Sequence, residues 1–301
     1  MQATDIRSRS HLAHQDVAAL NFVRGSCRFV FRRHFRQGLR SHVMEVLSRS
    51  DLERERRGVV FDGLWRFPDA RPLKMLRIFR RRFSGPQEAI EEIRRLQIVE
   101  AHLPRDLLAP SEEFLVTYRL GGKDHLLLCG LQEYVDGAVL DPWNLPQPGE
   151  PPNTRALVHH ARRFAAGAKR MVIEAGYIPD LAGIGNLFVT ADGRIKLVDI
   201  NNISRLAEGP GICVDDRGYP ACDKSIEALY RIERSLCDAA PDVLHGPPYD
   251  RYLTAERSRE VKALEERFFA SLKRGDAEEI AGSGRSEKRT SNVEHRTSNV
   301  E

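Results

Sequence analysis

The sequence predicts an α+β protein, in which antiparallel β-strands and amphipathic helices follow one another along the chain. Short apolar runs on either side of Asp-Gly and Gly-Gly pairs indicate tight antiparallel hairpins. Apolar residues at three- and four-residue steps predict a long amphipathic helix between Asn153 and Gly176. A chain of 301 residues with 41% apolar and 30% charged residues is long enough for a two-lobed core.

Composition limits the class of protein and its location. No uninterrupted apolar run approaches the roughly 20 residues that span a bilayer, and the polar start of the chain lacks the apolar core of a signal peptide. We therefore expect a cytoplasmic protein. The five scattered cysteines include no Cys-x-x-Cys pair, so they predict neither a disulfide framework nor a zinc site. A net charge of +4 is too small to indicate nucleic-acid binding by itself.

Residues 1–51 predict a basic helical extension. Between residues 10 and 48, apolar positions at helical spacing alternate with arginines, six of which lie between residues 24 and 40. With the phenylalanines at 29, 31 and 35, this segment is a candidate for contact with nucleic acid or with the anionic inner face of a membrane, where the protein would be peripheral. We favour the alternative, a helical extension packed on the rest of the protein with its arginines in water.

Residues 52–135 predict a small antiparallel sheet with one helix. The helix begins near Ser84 and runs to about Ala101. Glycine- and proline-containing turns separate the apolar runs before and after it. The predicted strands are Gly58–Phe61, Leu73–Phe79, Phe114–Leu120 and Leu126–Gly130.

Residues 136–275 predict a mainly helical region. A proline-rich connection at 141–153 leads into the long helix, and further helices are expected from Asp223 to Leu236 and from Thr254 to Leu272. Residues 276–301 contain a short polar repeat that follows a glycine- and serine-rich stretch. We expect this tail to be disordered.

Three polar side chains surround a predicted hairpin in the helical region. Two short strands, Leu187–Thr190 and Arg194–Ile200, flank an Asp-Gly turn. Asn186 enters the first strand, Asp199 lies within the second near its end, and Asp180 precedes Asn186 by six positions. Two carboxylates and an amide suit an oxygen-seeking cation such as Mg²⁺ held against a phosphate, and suit zinc poorly.

This arrangement resembles the catalytic loop and metal-binding strand of the protein-kinase-like superfamily, which includes the aminoglycoside, lipopolysaccharide and RIO kinases. The resemblance covers roughly residues 57–236 and implies a two-lobed fold, with an N-terminal lobe at 52–135 and a C-terminal lobe at 136–275. It implies that Asp180 orients or deprotonates the acceptor hydroxyl, and that Asn186 and Asp199 hold Mg²⁺ against the phosphates of ATP.

The same resemblance implies a cation that pairs with the phosphates from the strand at 73–78. Lys74 is the first choice, but alignment of residues 74–77 on the Val-Ala-Ile-Lys motif of the family places Arg77 there instead. Glu92, or Glu88 one helical turn earlier, would pair with this cation from the following helix.

The remaining nucleotide contacts come from two further segments. Residues 57–63 occupy the place of the glycine-rich loop that covers the phosphates. Backbone groups of Glu133 and Val135 would bind the adenine edge at the hinge between the lobes.

The function implied is transfer of the γ-phosphoryl group from Mg-ATP to a hydroxyl acceptor, whose identity the sequence does not select. The spacing from Asp180 to Asn186 is one residue longer than in the family, and Asp199 is not followed by Phe-Gly. These differences indicate the alternative, a pseudokinase or nucleotide-binding regulatory module that acts through partner contacts.

Overall fold

The computed structural model of the protein describes residues 5–20, 22, 28–34, 40–145, 155–200, 202–215, 217–237 and 246–287, with side chains up to residue 272. The protein has mixed α and β structure, and its sheets are antiparallel. Within the described part, no helix is long and apolar enough to cross a membrane.

Twelve strands and seven α-helices form the described part of the chain. The strands are β1 (Phe29–Arg33), β2 (Ser41–Ser48), β3 (Val59–Phe61), β4 (Leu64–Arg66), β5 (Lys74–Phe79), β6 (Ser111–Leu120), β7 (Lys123–Glu133), β8 (Ala138–Val139), β9 (Tyr177–Pro179), β10 (Leu187–Val189), β11 (Ile195–Leu197) and β12 (Ile203–Arg205). The helices are α1 (His14–Ala18), α2 (Arg49–Arg57), α3 (Pro86–His102), α4 (Arg155–Arg170), α5 (Ala221–Leu236), α6 (Tyr249–Tyr252) and α7 (Ala255–Glu287).

The largest sheet contains five strands in the order β1-β2-β5-β7-β6, and α3 connects β5 to β6. Its core combines buried residues of the strands with apolar residues of the N-terminal segment, including Ile6, Leu12 and Val17. The N-terminal segment therefore covers one face of this sheet.

The predicted basic helices between residues 10 and 48 are wrong. Residues 14–18 form one short helix, but β1 and β2 lie where the second helix was expected. Six of the eight residues of β2 are buried, because Met44 and Val46 face the sheet core while Leu47 packs in a separate cluster with Leu52. A strand covered on both faces lacks the alternation of apolar and polar residues that identifies strands in a sequence. Residues 23–27 and 35–39, including Arg24 and Arg36, lie outside the described part.

The predicted strands at 58–61 and 73–79 do not pair with each other. β3 pairs with β4 across the turn Asp62-Gly63, whereas β5 pairs with β2 and β7. Asp62 and Gly63 have φ angles of 49° and 73°, as in the tight turns that connect two-residue hairpins. The neighbour of β5 on the side away from β7 is β2, residues 41–48.

The four longer helices lie close to their predicted positions. α3 and α5 match the expected ranges, and α4 continues as one turn of π-helix over Met171–Ala175 before Gly176 ends it. α7 runs to Glu287, so residues 276–287 are helical where disorder was expected; residues 288–301 lie outside the described part.

A second hydrophobic core forms around the hairpin of β10 and β11. Buried residues of α3, α4 and α5 pack there against Leu187, Ile195 and Leu197 of the hairpin. The hairpin is also tied to the segment before β6, since the Ala109 N–H donates to the Leu197 carbonyl at 3.0 Å. Its open end therefore lies beside the five-stranded sheet.

Candidate functional site

The predicted Asp-Gly hairpin is present, with β10 and β11 shorter than expected. Its strands pair Leu187 with Leu197, and the Val198 N–H extends the ladder by donating to the Asn186 carbonyl at 2.9 Å. Asn186 and Asp199 therefore lie at the same open end of the hairpin, next to the five-stranded sheet.

Asp180 follows β9 and is held by three hydrogen bonds. Its Oδ1 accepts from the backbone N–H groups of Ala182 and Gly183, both at 3.2 Å, and its Oδ2 accepts from Asn202 Nδ2 at 2.6 Å. Burial and the nearby Asp199 carboxylate raise the pKa of Asp180 to about 6. The side chain is thus fixed in direction and takes up a proton close to neutral pH.

The loop from Asp180 to Asn186 closes with the Asn186 side chain packed against Gly183. A Cβ atom at Gly183 would lie 2.5 Å from Asn186 Nδ2, so any other residue there would displace the Asn186 side chain. Asn186 Nδ2 donates to the Asp180 carbonyl at 2.9 Å. This bond ties the Asn186 side chain to the backbone at the start of the loop.

Arg77 is the cation that contacts Asp199. Its Nη1 donates to Asp199 Oδ1 at 2.9 Å, while its Nη2 donates to Glu113 Oε1 at 3.0 Å and to Ser111 Oγ at 3.1 Å. Arg77 is 4% exposed, so this guanidinium is held inside the protein between two carboxylates.

Lys74 occupies a different position. Its Nζ lies 3.5 Å from Glu133 Oε1, and both side chains are exposed. Of the two candidates for the phosphate-pairing residue, the structure therefore directs Arg77, and not Lys74, at Asp199.

The glutamates of α3 that were expected to pair with the phosphate-pairing cation bind another arginine instead. Glu92 and Glu88 bind the exposed Arg81, at 2.6 and 2.9 Å. The buried partner of Arg77 is Glu113 on β6. Nothing in the sequence marks Glu113, because the resemblance implies a partner from the helix and a glutamate at the start of a half-exposed strand has no distinguishing pattern.

Two adjoining cavities meet at the open end of the hairpin. The first has a volume of about 510 Å³ and lies between the β5–β7 part of the sheet and the hairpin. Glu133 and Val135, the predicted adenine contacts, line it together with Arg77. Asn186 and Asp199 line its inner end.

The second cavity has a volume of about 580 Å³ and contains Asp180. Asn186 and Asp199 line this cavity as well, and so stand at the border between the two spaces. Aromatic side chains form part of its wall. They are Trp143, Tyr219, Phe268 and Phe269.

Arg40, which the sequence analysis did not single out as a site residue, closes the second cavity from the sheet side. Its Nη1 donates to Asn202 Oδ1 at 2.6 Å, and its Nη2 donates to Asp215 Oδ2 at 3.2 Å. Because Asn202 in turn donates to Asp180, Arg40 orients Asp180 through Asn202. The position of Arg40 just before β2 became informative only once residues 41–48 proved to be a strand.

The segment expected to cover the phosphates does not line either cavity. Residues 59–66 form the exposed β3–β4 hairpin, whereas the first cavity is bordered by His34 and Ser41. Positions 35–39, which lie between these two residues, are outside the described part.

The donor set at the border fits magnesium better than a transition metal. Within the described residues, no three or more His, Cys, Asp or Glu side chains are grouped to hold a metal ion. Asn186 uses its amide nitrogen toward Asp180, which leaves its Oδ1 as an acceptor, and Asn186 and Asp199 line the same two cavities. Mg²⁺ is commonly held by one or two protein oxygen ligands together with substrate phosphates.

Comparison with known proteins adds no family to this geometry. No protein-family model matches the chain, and no curated protein is significantly similar to it.

Proposed function

We propose that the protein has a two-lobed protein-kinase-like fold and transfers the γ-phosphoryl group of Mg-ATP to a hydroxyl acceptor. One observation carries this proposal: Asn186 and Asp199 stand at the border of two adjoining cavities, and Asp180 lies only in the second. A phosphoryl group at that border would have its nucleotide on one side and its acceptor on the other, as in-line transfer requires.

The nucleotide is assigned to the first cavity. The Glu133 N–H already donates to the Pro110 carbonyl at 2.9 Å, so the adenine contact at this residue falls to its carbonyl oxygen. Val135 follows two residues later on the same wall. Both residues would act through their backbone, so the contact demands little of their side chains.

Arg77 is assigned the phosphate-pairing role, with Glu113 as its supporting carboxylate. A guanidinium stays charged when it is buried and presents several N–H donors in a fixed plane, which suits a second anion beside Asp199. This assignment agrees with the second of the two alignments that the sequence allows, and replaces Lys74.

Asp180 is assigned to the acceptor hydroxyl. A carboxylate with a raised pKa accepts a proton more readily than an ordinary aspartate, and the bonds from Asn202 and the loop N–H groups fix its direction. Asn186 and Asp199 would hold Mg²⁺, which when bound neutralises charge on the phosphates.

The regulatory module is the second candidate. It is favoured by the ion pair between Asp199 and Arg77 and by the hydrogen bonds that already occupy Asp180. A protein of this kind would bind nucleotide at the first cavity and act through partner contacts, without turnover.

The test compares Asp199→Asn with Asp192→Asn, a matched change at the exposed turn of the same hairpin. We expect the first variant to lose at least about 100-fold in ATP turnover, since it removes preorganised charge at the reacting phosphates. The second should stay within about twofold of the unchanged protein. Turnover is measured with mixed hydroxyl acceptors, and binding by calorimetry with ATP and Mg²⁺.

Each outcome separates the candidates. Full turnover by Asp199→Asn would show that the role assigned to Asp199 is wrong. Binding of Mg-ATP without turnover in any acceptor mixture favours the regulatory module. Failure of the unchanged protein to bind ATP with or without Mg²⁺ contradicts both candidates.

A further inference from the structure

The β3–β4 hairpin concentrates the exposed apolar surface of the protein. Twelve large hydrophobic residues are exposed in the described part of the chain, and six of them lie between residues 60 and 73. Monomeric soluble proteins rarely expose such a contiguous group without a binding role. The six residues are Val60, Phe61, Leu64, Trp65, Phe67 and Leu73.

Both faces of this hairpin are apolar. Val60 pairs with Trp65, and Phe61 pairs with Leu64. Since successive residues of a strand point to opposite faces, these two pairs lie on opposite sides. All four side chains are between 57% and 65% exposed. A flat protein surface would cover only one of the two faces, whereas a surrounding layer of lipid headgroups and acyl ends can cover both.

The charges around the hairpin favour an anionic layer. Five arginines from residues 53 to 71 are exposed, against three exposed acidic residues. The Arg66 guanidinium lies 5.1 Å from the centroid of the Phe61 ring, so cation and aromatic ring are presented together. The arginines are Arg54, Arg56, Arg57, Arg66 and Arg71, and the acids are Glu53, Asp62 and Asp69.

Residues 24–40, which the sequence makes a candidate for contact with an anionic partner, are less suited to it than the β3–β4 hairpin. Two described arginines of this segment bind carboxylates of the protein itself: Arg32 binds Glu45 and Glu55, and Arg40 binds Asp215. Arg54 and Arg71 near the β3–β4 hairpin also bind carboxylates, but their side chains are 62% and 68% exposed, whereas those of Arg32 and Arg40 are 38% exposed.

We propose that the β3–β4 hairpin, residues 58–67, docks the protein on an anionic lipid bilayer. Trp and Phe side chains favour the boundary between headgroups and acyl chains, and arginines beside them add attraction to acidic lipids. Asp62 at the turn limits the depth, because its carboxylate must stay among the headgroups. The contact is therefore shallow, peripheral and reversible by salt. It is independent of the phosphotransferase assignment.

The experiment measures sedimentation of the full chain with phosphatidylcholine vesicles that contain or lack phosphatidylglycerol. We expect binding that requires the acidic lipid and weakens as salt rises. Trp65→Ser should lower the affinity at least fivefold, while Ile173→Ser, a matched change at another exposed apolar residue, should leave it unchanged. Thermal melting of each variant verifies that the fold is intact.

A change of opposite sign sharpens the test. Asp62→Asn keeps a residue that accommodates the positive φ of the turn and removes the charge that opposes docking. It should tighten binding about three- to fivefold. Brominated lipids should quench the tryptophan fluorescence of the unchanged protein. In the Trp65→Phe variant, only quenching of Trp143 should remain.

Several results would overturn the proposal. One is the absence of vesicle binding by the unchanged protein. Another is binding that is independent of salt and equally strong to vesicles with and without acidic lipid. A third is weaker binding by Asp62→Asn. Self-association of the unchanged protein that is lost in Trp65→Ser, without vesicle binding, would instead assign the hairpin to contact with a second copy of the chain.

Discussion

Two hairpins of this protein share the Asp-Gly turn but lie in opposite environments. In the β10–β11 hairpin, Leu187 and Leu197 are almost completely buried in the second core. In the β3–β4 hairpin, Leu64 and Trp65 are 64% and 65% exposed. An Asp-Gly turn between two apolar strands is thus sufficient to make a hairpin. The packing around the hairpin decides whether its strands are buried and support a site or are exposed to solvent.

The difference also determines what each hairpin contributes. The buried hairpin fixes Asn186 and Asp199 at its open end, because helices and the five-stranded sheet hold it from several sides. The exposed hairpin is constrained mainly by its own pairing. Matched substitutions in the two hairpins, and in the residues that contact them, should therefore differ in their effects on global stability.

The largest expected difference is between Arg77→Met and Arg66→Met. The first removes a buried cation that Asp199 and Glu113 both contact, so the free energy of unfolding should fall by about 3–5 kcal/mol. The second removes an exposed arginine and should change that free energy by less than about 0.5 kcal/mol. Urea denaturation followed by circular dichroism measures both, and equal effects would contradict the buried pairing of Arg77.

The next difference is between Leu187→Ala and Leu64→Ala. Leu187 is 1% exposed, and its truncation should cost about 2–5 kcal/mol through lost burial and the cavity left behind. Leu64→Ala should cost less than about 0.5 kcal/mol. The same denaturation experiment measures both. A comparable loss in the two variants would mean that the β3–β4 hairpin is covered by another part of the chain.

Asp180→Asn should show a stability difference that depends on pH. The folded-state pKa of Asp180, about 6, exceeds its ordinary value of 3.8, so the folded protein binds this proton more tightly than the unfolded chain. The charged form therefore destabilises the folded protein above pH 6, and this cost disappears as pH falls below about 4. Relative to the unchanged protein, the variant should gain about 2 kcal/mol between pH 4 and pH 7.

Asp192→Asn provides the control for that measurement. A hydrogen bond from the Thr190 hydroxyl lowers the pKa of Asp192, so any dependence on pH should have the opposite sign. Unfolding free energies at pH 4, 5, 6 and 7 distinguish the two variants. A difference for Asp180→Asn that does not change with pH would show that Asp180 is solvated and not buried beside Asp199.

The smallest difference is between Gly193→Ala and Gly63→Ala. Both glycines have positive φ, 78° and 73°, where an L side chain costs about 1 kcal/mol. Gly193→Ala should lower global stability by about that amount. Gly63→Ala should only speed amide hydrogen exchange within residues 59–66, leaving exchange in α4 unchanged. Unchanged amide exchange in α4 in both variants, or faster exchange there in both, would contradict this localisation.

The sequence predicts an element correctly where that segment has its own apolar periodicity or its own turn. The β10–β11 hairpin, α3, α4 and α5 were predicted because their apolar patterns and turns are local. β1 and β2 were missed because their apolar residues depend on two separate clusters contributed by distant segments. Local pattern cannot report which parts of the chain will cover a strand.

The candidate site divides in the same way. Asp180, Asn186 and Asp199 lie within twenty residues of one another, and their clustering at a hairpin was readable from spacing. Arg40, just before β2, and Glu113, on β6, join the site from distant parts of the chain, and nothing in their immediate sequence marks them.

The contact between Arg40 and Asn202 has a consequence for biosynthesis. The two residues are 162 positions apart. At translation rates of about 5–20 residues per second, Asn202 is added roughly eight to thirty seconds after Arg40. All five strands of the large sheet have been synthesised by then, so the growing chain can fold that sheet on the ribosome well before Asp180 acquires its partners. Assembly of the candidate site is therefore a late event during translation, because Asn202 must be added before it can join Arg40 to Asp180.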